Sequence, residues 1–391
     1  MSRLLLFIFV ALWSIYYLQG FAYSAGSRLA WITLLLGLLM CVYGWIKTYL
    51  TYKVPPILDA TSVLLLIFSL YGFLLIISGQ DIYRSFDFFQ FTGDRYISSV
   101  FTSLAPVFLT YYFTRKGALK KHDLYFLFLL FFLICTARFI GYERARIFMS
   151  NYDTEGMTTN NIGYDFLALL PMVCVFRKKP IVQYILLLAV LFFTIYSVKR
   201  GAIIIALICA ALLIYHNMHY KRHKILPIIL GIIAVFATYY FIDHMLSSNE
   251  YFNMRFESTL EGNSSGREEY YTFFINYIKS LDSIPRLLFG GGAYYTVVLN
   301  GNLAHNDWLE ILCCNGLFGV LIYLAYWACF YKSLKKSRKT YYHLPLLFLF
   351  ISMLLKSFFS MTYASTPFYA SFYFGYILAR VHGAKNKIRV S

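Results

Sequence analysis

Few polar residues in this chain could do chemistry, and they fall into three groups. His305 and Asn306 stand side by side where an apolar segment begins, with Gly316 after nine intervening residues and Gly319 three further on. Arg267 opens the stretch REEYYTFFINYIK, and Lys199-Arg200 divides two apolar runs in TIYSVKRGAIII. An imidazole titrates near neutrality and is the commonest general base. Guanidinium forks match phosphate oxygens bidentately. Two basic clusters and a histidine on one membrane face would suit an anionic ligand, with diphosphate the natural candidate. Plainer readings stand beside this one. Arg267 could be a surface arginine paired with Glu269 or a lipid headgroup. Lys199 and Arg200 could snorkel to outer headgroups, and His305 could cap a helix at the interface.

The elements that must position these residues are membrane helices. The 391 residues are 60% hydrophobic, 20% aromatic and only 14% charged, against about 25% charged in an ordinary soluble chain. Apolar runs recur from end to end, such as LLLFIFVALWSIYYL from Leu4 and YILLLAVLFFTIY from Tyr184. At roughly 20 residues per span, they predict an all-α, polytopic helical bundle of about twelve spans. The candidates lie near 4–19, 29–46, 57–79, 96–113, 124–141, 162–176, 180–197, 201–217, 225–242, 308–331, 344–361 and 366–379. The first follows Arg3 like a signal peptide, but no small-residue cleavage site follows it, so it is read as a helix. No repeat or linker divides the chain, so residues 1–391 are read as one integral membrane domain.

The net charge is +17, and its distribution argues against nucleic acid. Lys and Arg concentrate in alternate loops, including RKGALKK from Arg115, RKK from Arg177 and KSLKKSRK from Lys332. This positive-inside pattern predicts both termini in the cytoplasm. The longest segment between spans, 243–307, then faces outward. Within it Ser265 and Glu268 form a capping-box signature, predicting a helix from about Gly266. Tyr270, Phe274, Tyr277 and Leu281 share one face of that helix, which is expected to lie aromatic side down on the membrane surface.

Other signals are excluded or left open. No P-loop, G-x-G-x-x-G or D-x-D occurs, and the first outer loop, QGFAYSAGSR, has no acidic residue. An outward-facing reaction without ATP needs a donor that arrives activated. His216, His219 and His223 have near-helical spacing, but cationic neighbours oppose a divalent metal there. All seven cysteines fall within spans, as small apolar fillers. Among ionisable residues inside spans are Asp59, Asp165, Glu310 and Lys356. Glu310 lies one turn beyond Asn306 and is expected to face the same cavity, with Lys356 a candidate partner.

The ordered set resembles the O-antigen ligase/polymerase family of bacterial membrane glycosyltransferases. His305-Asn306 with Gly316 and Gly319 is similar to its H-[NSQ]-x9-G-x-x-[GTY] pattern. KRGA at Lys199–Ala202 resembles its Ser-Arg-Gly span mouth, with Lys199 in place of Ser. SSGR at Ser264–Arg267 resembles its loop arginine, and LFGGGA at Leu288–Ala293 its Gly-rich turn.

The resemblance implies a metal-independent glycosyltransferase without a cofactor, in the bacterial inner membrane with a periplasmic active site. Its donor would be an undecaprenyl-diphosphate-linked oligosaccharide. Arg200 and Arg267 would neutralise the departing diphosphate, with Lys199 adding a cation. His305 would act as base or orienter for the acceptor hydroxyl. Asn306 would hold the imidazole or the acceptor sugar, with Glu310 also on the substrate side. Gly316 and Gly319 would admit a neighbouring helix or the polyprenyl chain. The acceptor would be another lipid-linked repeat unit in a polymerase, the preferred reading, or lipid A–core in a ligase. The resemblance also admits a chain-length regulator protein as partner. From another class, a lipid-linked oligosaccharide flippase would share the spans and the basic residues. A non-catalytic assembly partner is the remaining alternative.

Overall fold

The structure is a computed structural model that describes residues 2–19, 26–80, 82–83, 90–143, 161–220, 225–248, 250–260 and 267–388. The described residues are mostly helical, with two-residue strands at Ile82–Tyr83 and Gln90–Phe91 and short turns between the helices. Seven helices are long and apolar enough to cross a membrane: Arg28–Thr51, Pro56–Ser78, Gly93–Arg115, Asp123–Gly141, Arg200–His219, Ile225–Ser248 and Asp307–Ser337. Shorter apolar helices are Ser2–Tyr17, Ile162–Phe176, Pro180–Tyr196 and His343–Phe359. Their outward faces carry uncovered apolar side chains, such as Leu35, Leu39, Ile46 and Leu50 on one helix and Leu66, Leu70, Phe73 and Ile77 on the next. Faces this apolar and this extensive require lipid. The protein is a multi-pass helical membrane protein.

Two of the expected spans look different in the fold. The segment 96–113 divides into Gly93–Leu104 and Pro106–Arg115, because proline lacks an N–H and its ring crowds the preceding turn. The last expected span lies in Phe368–Ile388, where residues 368–379 are all buried. Gly375 lets this helix approach so closely that a Cβ there would lie 2.3 Å from the Val107 carbonyl oxygen.

The chain forms two compact units. The first comprises 1–39, 113–263 and 341–352. Its interior is strongly aromatic, with Phe166 and Phe193 stacked at 4.8 Å and Phe139 edge-on to both. Asp165 finds its counter-ion here, in an ion pair with Arg138. The second unit comprises 40–112, 264–340 and 353–391. There Pro56–Ser78 crosses Gly93–Leu104 at touching backbones, since a Cβ on Gly93 would stand 2.2 Å from the Gly72 carbonyl oxygen. All seven cysteines are free thiols, six of them buried.

Candidate functional site

Arg267, His305, Asn306 and Glu310 belong to the second unit, whereas Lys199 and Arg200 belong to the first. In the second unit the site is built on the start of the helix Asp307–Ser337. Asn306 is its N-cap, with extended backbone and a side-chain Oδ1 that accepts from the N–H groups of Trp308 (2.9 Å) and Leu309 (3.2 Å). Those amides have no intrahelical acceptor, so the cap supplies one. Its Nδ2 donates across to the Phe358 carbonyl at 3.3 Å. The capping residue is thus Asn306, not the histidine, and its amide is engaged at both ends.

The histidine is held from both sides. His305 adopts the left-handed conformation, φ 51°, a region that an L residue enters at a cost of roughly 1–2 kcal/mol. Immediately after it comes the cap. Immediately before it, the Ala304 N–H donates to Glu310 Oε2 at 2.8 Å. Glu310 Oε1 accepts from Thr296 Oγ1 at 2.7 Å. Glu310 is fully buried with both oxygens occupied, so it braces the loop that carries His305 rather than facing a cavity. The expected partnership with Lys356 gives way as well. Lys356 Nζ donates to the carbonyl and hydroxyl of Ser365, at 2.8 and 3.1 Å, and the carboxylate it acts on electrostatically is Asp307.

Sequence reasoning passed over Asp307. It is completely buried, with Oδ2 accepting from the Tyr323 hydroxyl at 2.5 Å and Oδ1 from the Thr362 N–H at 2.8 Å. Trp308 adds a bond from Nε1 to Ser357 Oγ at 3.2 Å. Three consecutive residues therefore bind the helix start to 357–362. The one available signal was adjacency, since Asp307 directly continues the His-Asn pair.

Arg267 is the first residue of the helix Arg267–Lys279, as expected. Ser265, the expected capping residue, lies outside the described residues. The aromatic face of this helix differs from expectation. Phe274 is fully buried against Ala304 and Cys313, with Tyr270 and Tyr277 packed around them. The stripe meets protein rather than the membrane surface. Burial, and then the hydrogen bond and charge of Tyr295, push the Tyr277 hydroxyl up to about 12. It therefore stays protonated at neutral pH and donates to Tyr295 Oη at 3.2 Å. Tyr271, also passed over, donates to the Phe358 carbonyl at 3.2 Å, the same atom that Asn306 holds. Tyr271 stands one turn beyond Arg267, so both project from one helix face. The arginine helix and the histidine stem are thus fastened to a common atom.

The glycines answer to a local need. Gly316 breaks the long helix with φ 66° and ψ −166°, a combination essentially confined to glycine. Into the break docks the Gly-rich turn: the Gly291 and Gly292 N–H groups donate to the Cys313 and Cys314 carbonyls, each at 2.9 Å. A Cβ on Gly316 would lie 2.4 Å from the Leu288 carbonyl, and one on Gly290 equally close to that of Cys314. At Gly319 a Cβ would meet Asn315 Cβ of its own helix at 2.3 Å. The partner at Gly316 is therefore the end of the short helix Ile284–Phe289 with the turn that follows it, so the close approach there is to a neighbouring helix, whereas at Gly319 the close contact lies within its own helix.

In the first unit, Lys199 and Arg200 follow Val198, a β-branched residue with φ 57°, which is a true backbone outlier. Arg200 opens the helix Arg200–Tyr220. Lys199 Nζ lies 5.8 Å from the Tyr164 ring centre, over its face. This turn packs on Gly163, where a Cβ would stand 2.3 Å from Ser197 Oγ. Of the histidine triplet, His219 stacks on Tyr215, and His223 lies outside the described residues. Among the described residues, no group of three or more His, Cys, Asp or Glu side chains is placed to hold a metal.

The family model described as O-antigen ligase (Wzy_C) matches residues 185–324, a little over a third of the chain, with every candidate residue inside it. Over that stretch the chain is similar to the O-antigen ligase family. No curated protein matches the chain.

Proposed function

We propose that the protein is a surface-polysaccharide (O-antigen) polymerase. It transfers glycan from undecaprenyl diphosphate to a lipid-linked repeat unit at the periplasmic leaflet of the inner membrane, without a metal ion. The observation that carries this reading is the shared anchorage at the Phe358 carbonyl. The helix that begins at Arg267 and the residue that follows His305 are fastened to that one atom, within the segment that matches the family. His305 takes the proton from the acceptor hydroxyl as it attacks the anomeric carbon. Arg267 stabilises the negative charge that grows on the departing diphosphate. Such groups contribute most when fixed before the reaction starts, and the flanking bonds of Ala304 and Asn306 restrain the backbone on both sides of this histidine. Lys199 and Arg200 are assigned to diphosphate binding on the resemblance alone. Asn306 and Glu310 act by positioning His305.

Both termini lie in the cytoplasm, and the segment 243–307 is the large periplasmic part of a single membrane domain. A chain-length regulator is a further partner. The second reading is a ligase that delivers the glycan to lipid A–core, and the family match accommodates both. Deletion of the gene separates them. Surface polysaccharide from the deletion strain would show a single repeat on intact lipid A–core if the protein is the polymerase. Naked core, with long chains retained on undecaprenyl diphosphate, would replace that reading with the ligase. Unaltered polysaccharide would refute both.

A further inference from the structure

The first unit gathers a cluster of cations in loops to which the proposed reaction assigns no role. In the first unit, three segments distant in sequence meet: the loop before helix Asp123–Arg138, the turn after Ile162–Val173, and the start of His343–Phe359. Tyr341 is the centre. Its hydroxyl donates to the Cys174 carbonyl at 3.1 Å. Lys121 Nζ lies 4.5 Å from its ring centre and 3.4 Å from its hydroxyl. Arg177 covers the same ring at 5.7 Å. Lys179 lies 5.8 Å from the ring of Tyr125, which packs on Phe176 at 4.9 Å. Cations over aromatic faces are held in place rather than left to wander.

The charges here are unbalanced. Lys121 is driven below the usual lysine range by burial and by the neighbouring Lys178. Asp123, the nearest acid in sequence, is already committed, with one oxygen to Arg3 at 2.7 Å and the other to the Lys120 N–H at 2.8 Å. The packing of the three segments therefore gathers Lys121, Arg177, Lys178 and Lys179 at a site with an excess of positive charge. The surroundings say what kind of anion suits it. Both helices that leave the site carry uncovered apolar stripes: Phe126, Leu129 and Leu133 on one, Ile181 and Ile185 on the other, each more than half exposed. A soluble phosphate has no use for such stripes. Acyl chains do, below a headgroup held by cations and interfacial tyrosines.

We propose that this cluster is a binding site for an acidic glycerophospholipid, with the phosphodiester held by Lys121 and Arg177 and the acyl chains lying along the two stripes. The site does not depend on the glycosyl-transfer reading. Delipidated protein in neutral detergent is titrated with phosphatidylglycerol, and separately with phosphatidylcholine of the same chains, and bound lipid is counted by native mass spectrometry. Phosphatidylglycerol is expected to bind at least about ten-fold more tightly and to resist displacement by inorganic phosphate. Near a membrane surface each cation contributes about five-fold in affinity, so Lys121→Gln with Arg177→Gln weakens binding on the order of thirty-fold. Lys121→Arg retains it. Equal retention of the two lipids by the wild-type protein overturns the proposal whatever the variants do. Release of the lipid by inorganic phosphate alone would instead make this a soluble-anion site, and would overturn it as well.

Discussion

His305 is useful to a reaction only if its imidazole arrives in one place, and three separate contacts fix the backbone from which it projects. Ala304 is pinned by Glu310, Asn306 caps the following helix, and Asp307 is buried between Tyr323 and Thr362. His305→Ala and Arg267→Ala should each lower glycan output by at least about 10²-fold, while the protein still inserts at wild-type levels. Normal polysaccharide at equal expression would remove both residues from the mechanism. Asn306 separates capping from sugar binding. Asn306→Ala should cost about 1 kcal/mol of stability, read as a lower Tm in detergent. Asn306→Ser restores a capping oxygen, so its Tm should recover most of that loss, with activity following. A serine variant that is stable yet inactive would give the amide a direct role with substrate.

At the scale of elements, the helix Asp307–Ser337 is interrupted where the Gly-rich turn docks. Gly316→Ala adds a Cβ that the Leu288 carbonyl excludes and a backbone angle that alanine avoids. A loss of at least about 2 kcal/mol is expected, seen as a lower Tm and reduced yield; an unchanged Tm would mean that the break is not required. The tether between the arginine helix and the histidine stem has its own test. Tyr271→Phe deletes the bond to Phe358, costing about 1 kcal/mol, so Tm should fall about as far as in Asn306→Ala while activity falls several-fold. The break at Gly316 was only half legible in the sequence. Two glycines after a His-Asn pair signalled close approach, but the approaching partner, Leu288–Gly292, is brought there by tertiary folding that periodicity does not encode. The same limit misdirected the aromatic stripe of Arg267–Lys279. Spacing says that Phe274 and Tyr277 need an apolar neighbour, and both lipid and protein qualify. Glu310 was misread for a related reason, since its partners Thr296 and Ala304 come from the chain before it.

For the whole molecule, lipid makes the sequence unusually readable. A spanning helix must satisfy its own backbone and present an apolar exterior, so Pro56–Ser78 could be placed from composition almost to the residue, and Arg28–Thr51 apart from its C-terminal end. Phe368–Ile388, buried over residues 368–379, marks the limit of that rule, because a protein interior and a bilayer favour the same residues. Orientation follows from charge alone. A fluorescent protein that matures only in the cytoplasm, fused after Ser391, should fluoresce, and a dark fusion at normal expression would reverse the topology.

The account turns on glycosyl transfer from a lipid diphosphate by the purified chain. A synthetic undecaprenyl-diphosphate-linked repeat unit is supplied to the protein in nanodiscs with a metal chelator, without other proteins, and the lipid products are separated by chromatography. The account predicts released undecaprenyl diphosphate together with a ladder of lengthened lipid-linked glycans, both absent with His305→Ala. Intact donor after incubation with correctly inserted wild-type protein would contradict it.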